Sequence, residues 1–202
     1  MQSTYNSRQR SGRTMTAGDL LAALDRLRPE VAAHSRRVAD LSWQLGLRAG
    51  LRSGHLAELE QAALLHDTGK LESPRHILEK PGLLMPSERA IVERHAGRSA
   101  ELAHEAGLPP AIVRMVRQHH ERLDGSGYPA ALTADDIDAG GRILAVCDVY
   151  DALTSVRPYA SAWPRHQALA YLTAHARRLF DIGYVVSLRE LVDSASPLRQ
   201  AA

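Results

Sequence analysis

The 202-residue sequence has one cysteine, one phenylalanine and very little lysine. The lone Cys147 excludes an internal disulfide, which suits a reducing compartment. Aromatic residues make up only 4%. The core is therefore left to Leu, Ala, Val and Ile, a composition that favours helices over strands. No apolar run approaches the roughly 18 residues that a membrane helix needs, and the amino-terminal stretch lacks the apolar segment of a secretory signal. A formal net charge of +2 gives no argument for DNA or RNA as a partner. Together these absences lead to the expectation of a cytoplasmic protein that binds neither membrane nor nucleic acid. What is present is ordinary for a globular chain, with 45% hydrophobic and 24% charged residues. The length suits one well-buried domain better than two.

Helical periodicity runs through nearly the whole chain. "GDLLAALDRLR" reads as a first helix ending before Pro29. A helix from about 30 to 48 starts behind that proline, and "SGHLAELEQAALL" reads as a Ser-led helix ending near His66, with Gly69 as its stop. A short helix follows in "PRHILEK", another spans about 87 to 106, and "PPAIVRMVRQHH" opens on prolines. "GGRILAVCDVYDALTS" reads as a buried helix, and "PRHQALAYLTAHARRLFD" and "YVVSLRELVD" as the last two. The sequence predicts a single all-α domain over residues 18–193. It would lie between a disordered basic tail at 1–17, carrying Arg8, Arg10 and Arg13, and a flexible tail at 194–202. The one long irregular segment is the loop of the 120s, and such loops often carry function.

Histidine and acidic residues gather at five places, each ambiguous alone. Glu30 and His34 share a helix face four residues apart, as a surface hydrogen-bonded pair or as two metal ligands. His66–Asp67 end an apolar run, as a helix-end cap or as ligands. His95 lies between polar neighbours, where a solvated histidine is the default. His119 and His120 close a helix at the head of "HHERLDGSGYP". Asp148 sits in "LAVCDVYDAL", where a carboxylate without a partner is costly to bury. Taken together they suit a divalent metal such as iron or manganese, because mixed imidazole and carboxylate ligands favour such ions. Structural zinc would ask for cysteines. The set can supply two metals bridged by Asp67, with Glu30 and His34 extending it to a third.

At this point the chain resembles the HD-GYP domains, a subclass of the HD phosphohydrolase superfamily. The resemblance rests on "HDTGK" at 66–70, "ILEKPG" at 77–82, "HHERLDGSGYP" at 119–129 and "CDVYDALTSVRPY" at 147–159, with "LFD" at 179–181 as a further match. It implies a helical domain with a centre of two or three divalent metals, iron or manganese, that hydrolyses the cyclic dinucleotide c-di-GMP to linear pGpG or on to GMP. By the same resemblance His66, Asp67, His95, His119, His120 and Asp148 are metal ligands, joined by Glu30 and His34 where a third metal is present. Asp67, as the bridging ligand, and Lys70, facing the scissile phosphate, are the catalytic residues. Lys70, Tyr128, Asp151 and Arg157 are the expected substrate contacts, with Asp151 acting on the ligand shell or on Lys70. "GYP" reads equally as ligand contact or as a stabilising turn. Both lysines, Lys70 and Lys80, fall where the family has lysine, among 25 basic residues in all.

Three departures from the family pattern stand out: Ala160 in "RPYA", Ser99 where glycine is common, and "DDIDAGGRI" before the Asp148 helix. None falls on a metal ligand, so they bear on substrate affinity or identity. The alternatives are an HD-type phosphohydrolase on another phosphoester or cyclic dinucleotide, or a non-catalytic module that senses nucleotide or docks a signalling protein. A diguanylate cyclase is the partner such signalling suggests, and an oligomer is compatible with the sequence.

Overall fold

The computed structural model describes residues 15–156 and 161–194, all α-helix, short 3-10 turns and loops, with no strand among them. Among the described residues nine α-helices follow in order: α1 Ala17–Leu27, α2 Pro29–Arg48, α3 Ser53–Leu65, α4 Arg75–Leu78, α5 Pro86–Glu105, α6 Pro110–Gln118, α7 Ala139–Thr154, α8 Arg165–His175 and α9 Ile182–Ser194.

Local chemistry explains most of the boundaries. Thr16 and Asp19 form a reciprocal capping box at the start of α1. Pro29, Pro86 and Pro110 occupy the first turns of α2, α5 and α6, where a missing N–H costs nothing. α3 opens on Ser53, as its Ser-led reading expects. Two expectations are corrected. Gly69 is not a stop, because the chain tightens after His66 into a 3-10 turn from Thr68 to Leu71 that runs through it. The helix expected to run through "RRLFD" ends instead at His175, and Arg177 takes a positive φ of 69°. This turn buries Phe180, the only phenylalanine, and offers the Leu179 carbonyl to the Leu123 N–H of the 120s loop.

The main core is aliphatic and joins α2, α3, α5, α6 and α7 through Val38, Leu45, Leu59, Leu65, Leu102, Ile112, Leu144 and Val146, all fully or almost fully buried. Every one of these helices brings a histidine or aspartate to one common place. No helix of the described residues is long and apolar enough to cross a membrane.

Candidate metal centre

The helices converge on seven side chains: His34 from α2, His66 and Asp67 from the end of α3, His95 from α5, His119 and His120 from the end of α6, and Asp148 from α7. Their ligand atoms form three groups, each within 4.8 Å: His95–His119–His120, His34–His66–Asp148 and His66–Asp67–His119. His95, expected as a solvated mid-helix residue when read alone, is only 2% exposed. The Gly69 turn lies against α5 so closely that a Cβ on Gly69 would stand 2.4 Å from the His95 carbonyl oxygen. Ser99 completes that contact by accepting the Gly69 N–H at 2.8 Å, so the departure at Ser99 is accommodated within the fold.

Three of the histidines are built alike. In His66, His95 and His119, Nδ1 lies 2.6 Å from a carbonyl oxygen three residues back, that of Ala63, Val92 and Val116 respectively. A carbonyl only accepts, so Nδ1 must carry the proton and Nε2 of each neutral ring presents a lone pair. These lone pairs face one another. His95 Nε2 lies 3.3 Å from His119 Nε2 and 3.1 Å from Asp67 Oδ1. His66 Nε2 and Asp67 Oδ1 are buried without a hydrogen-bond partner. A proton added to one ring would meet one of these lone pairs and leave the rest. A cation placed among them satisfies the whole set at once, and imidazole with carboxylate is a donor set for a divalent transition metal. The residues therefore fit the metal that the sequence leads one to expect. Burial pushes the His66 and His119 imidazoles below their ordinary pKa and His120 down to about 3, which keeps them neutral and able to ligate.

His34 is solved differently. Its Nδ1 lies 2.6 Å from Asp151 Oδ2 and its Nε2 lies 3.0 Å from Asp148 Oδ1. Burial alone would lower its pKa, but the hydrogen bonds to Asp148 and Asp151 outweigh that and raise it to about 9. Burial works against the charged forms of Asp67 and Asp148 as well. The neighbouring Lys70 ammonium holds Asp67, and the hydrogen bond from His34 holds Asp148, well below the usual carboxylate range.

Lys70 Nζ donates to Asp67 Oδ2 at 2.6 Å and stands at the rim, its side chain 21% exposed. The Tyr128 ring lies 4.7 Å from that of His120. Asp151 contacts His34 and Arg37, and Lys70 pairs with Asp67 instead. Glu30 is exposed and belongs to none of the three ligand groups. Lys80 pairs with Glu88 away from the centre. Arg157 and Ala160 lie outside the described residues.

Glu121 escaped the sequence reading. It is 2% exposed, and its carboxylate accepts the backbone N–H groups of Ala130 and Leu132, at 2.7 and 3.0 Å. It thereby stitches the 120s loop shut. A Cβ on Gly127 would stand 2.4 Å from Glu121 Cα, so the glycine is required by close approach. The signal in the sequence was a glutamate directly after two candidate ligands, a place where a loop acid holds backbone.

A family model described as "HD domain" matches residues 20–183. The cyclic di-GMP phosphodiesterase response regulator RpfG of Xanthomonas campestris is 40% identical over 154 residues, which cover 74% of this chain and 40% of the relative. The 3'3'-cGAMP-specific phosphodiesterase 3 of Vibrio cholerae is 34% identical over 170 residues, covering 84% and 37%. The chain thus spans about two fifths of the length of these curated relatives. Among solved structures, an HDG"Y"P protein from Bdellovibrio bacteriovorus matches with a TM-score of 0.69 at 20% identity, covering 88% of this chain and 58% of that one. At that identity the likeness shows the fold.

Proposed function

This chain belongs to the HD domain family and carries the residue pattern of its HD-GYP branch, and from that premise we propose that it is a metal-dependent phosphodiesterase hydrolysing c-di-GMP to linear pGpG. The observation that carries the reading is the convergence of the His66, His95 and His119 Nε2 lone pairs on the Asp67 carboxylate, with Lys70 at the rim. The centre takes two or three divalent ions, iron or manganese. His66, Asp67, His95, His119, His120 and Asp148 hold two of them, and His34 with Glu30 is the expected addition for a third. When bound, such ions clamp a phosphodiester and lower the pKa of water.

The chain's own residues do the rest. Lys70 brings a positive charge to the phosphoryl oxygens as negative charge develops on them. Asp67 holds the Lys70 ammonium in place at 2.6 Å. Neither Asp67 nor Asp148 keeps a proton at neutral pH, so neither is the general acid. Tyr128, stacked beside His120, and Arg157 are the proposed substrate contacts. The domain comprises residues 18–193 and works in the cytoplasm, with a diguanylate cyclase or another signalling protein as the partner to seek.

A second reading keeps the chemistry and changes the substrate to 3'3'-cGAMP, favoured by the relatives that bear that name. Both are tested by incubating the anaerobically purified, metal-loaded protein with each cyclic dinucleotide and resolving the products. Faster turnover of c-di-GMP to pGpG, or on to GMP, supports the first reading. Faster turnover of 3'3'-cGAMP selects the second. Cleavage of neither contradicts both.

A further inference from the structure

We propose that Arg37 is a positioning residue of the metal centre, acting through Asp151 to set the ring plane and tautomer of His34; the inference rests on the metal reading given above. On α2, His34 and Arg37 lie three residues apart on one face, and on α7 Asp148 and Asp151 do the same. Asp148 sits at the centre. Asp151 sits one turn farther along, where both of its oxygens are engaged. Oδ1 accepts Arg37 Nε at 2.7 Å, while Oδ2 accepts Arg37 Nη2 at 2.9 Å, the Ser155 hydroxyl at 3.2 Å and His34 Nδ1 at 2.6 Å.

The two parallel guanidinium contacts fix the plane of the carboxylate, which a single donor would leave free to turn. With the plane fixed, Oδ2 faces Nδ1, the proton stays on Nδ1, and Nε2 is the atom presented to the cluster. With a metal on Nε2 the arrangement would be a carboxylate–histidine–metal triad, extended outward by an arginine. Arg36, its neighbour in sequence, donates from Nη2 to both carboxylate oxygens of Asp25 and takes no part. The Arg37 side chain is 48% exposed and Asp151 only 9%. Arg37 therefore joins a buried ligand to the surface of the protein.

The competing explanation is that Arg37–Asp151 is merely a clamp between α2 and α7. Mn²⁺ titration of the metal-stripped wild type, Arg37→Ala, Arg37→Lys and Asp151→Asn by calorimetry separates the two. It is read beside melting curves and the imidazole ¹H–¹⁵N spectrum of each metal-free protein. Arg37→Ala is expected to weaken one class of Mn²⁺ sites about tenfold, at the low end of outer-shell effects, and Asp151→Asn about 10–100-fold. The pair combined should be no weaker than Asp151→Asn alone, because Arg37 acts only through Asp151. Arg37→Lys keeps the charge and loses the fork, so it should recover less than half of the loss on a logarithmic scale. In the metal-free wild type the His34 Nδ1–H should resonate far downfield, and this signal should broaden or vanish in Arg37→Ala. Unchanged Mn²⁺ affinity and an unchanged His34 signal, with only the melting temperature lowered, would overturn the proposal in favour of the clamp. A wild type that binds no Mn²⁺ would defeat the metal reading itself. The His34 signal would still decide for or against Arg37 by its loss or survival in Arg37→Ala and Arg37→Lys.

Discussion

The two ends of the histidine cluster handle the same residue type in opposite ways. At one end His66, His95 and His119 each spend their only proton on a carbonyl of their own helix, and their Nε2 atoms meet with nothing to share. At the other end His34 lies between Asp148 and Asp151 and is satisfied on both nitrogens. The first end is costly until a cation arrives, since buried polar atoms without partners cost about 1–3 kcal/mol each. The second is complete with a proton alone. The difference teaches that metal demand within one centre is uneven. The three-histidine end should bind first and tightest, and the His34 end should bind last, against the proton.

The largest expected effect breaks the first end. His66→Ala or Asp67→Ala should reduce both metal content and turnover to background, read by elemental analysis and product assay, while the helical circular dichroism stays. Lys70→Ala touches neither end's histidines. It should lower kcat about 10²–10³-fold with the metal content kept, because it removes a charge aimed at the transition state. Loss of metal along with activity in that variant would assign Lys70 to holding Asp67 instead.

The third test sharpens the contrast by pH, on metal-stripped protein. His34 is raised in the fold to about 9 from an ordinary 6.5, so the folded state holds the extra proton between those values. Its contribution is fully present below pH 6.5 and is lost as pH rises through 9, on the order of 3 kcal/mol. His120 has the opposite sign. Its folded pKa of about 3 means that stability is lost as pH falls below 6.5. Thermal melts should therefore decline on both sides of neutrality, and His34→Gln should flatten the alkaline limb only. The smallest effect lies outside both ends. Gly127→Ala, which forces a methyl against Glu121, should cost about 1–3 kcal/mol in a denaturant melt.

The sequence made the helix starts at Pro29, Pro86 and Pro110 legible because proline chemistry is local. It made the metal-type residues legible because their motifs are. What it hid depends on contacts between distant segments. The burial of His95 follows from the Gly69 turn lying on α5, while its own neighbours Glu93 and Arg94 are polar and suggest water. Arg37 looked like any other arginine until α7 brought Asp151 within 2.7 Å. Gly69 reads as a helix stop in sequence, yet it serves as the contact that lets the ligand turn approach α5. The early end of α8 was invisible because "RRLF" continues the helical pattern. Only the burial of Phe180 in the core and the tie between Leu179 and Leu123 show why the chain turns there.

The metal demand of the three-histidine end is measured most directly as the metal content of the anaerobically purified protein, beside that of His95→Ala. Two or more equivalents of iron or manganese are expected in the wild type and a loss of at least one in the variant, because His95 Nε2 belongs to the end with no protons to share. A folded, helical wild type that stays free of metal after reconstitution with Fe²⁺ or Mn²⁺ would contradict that expectation.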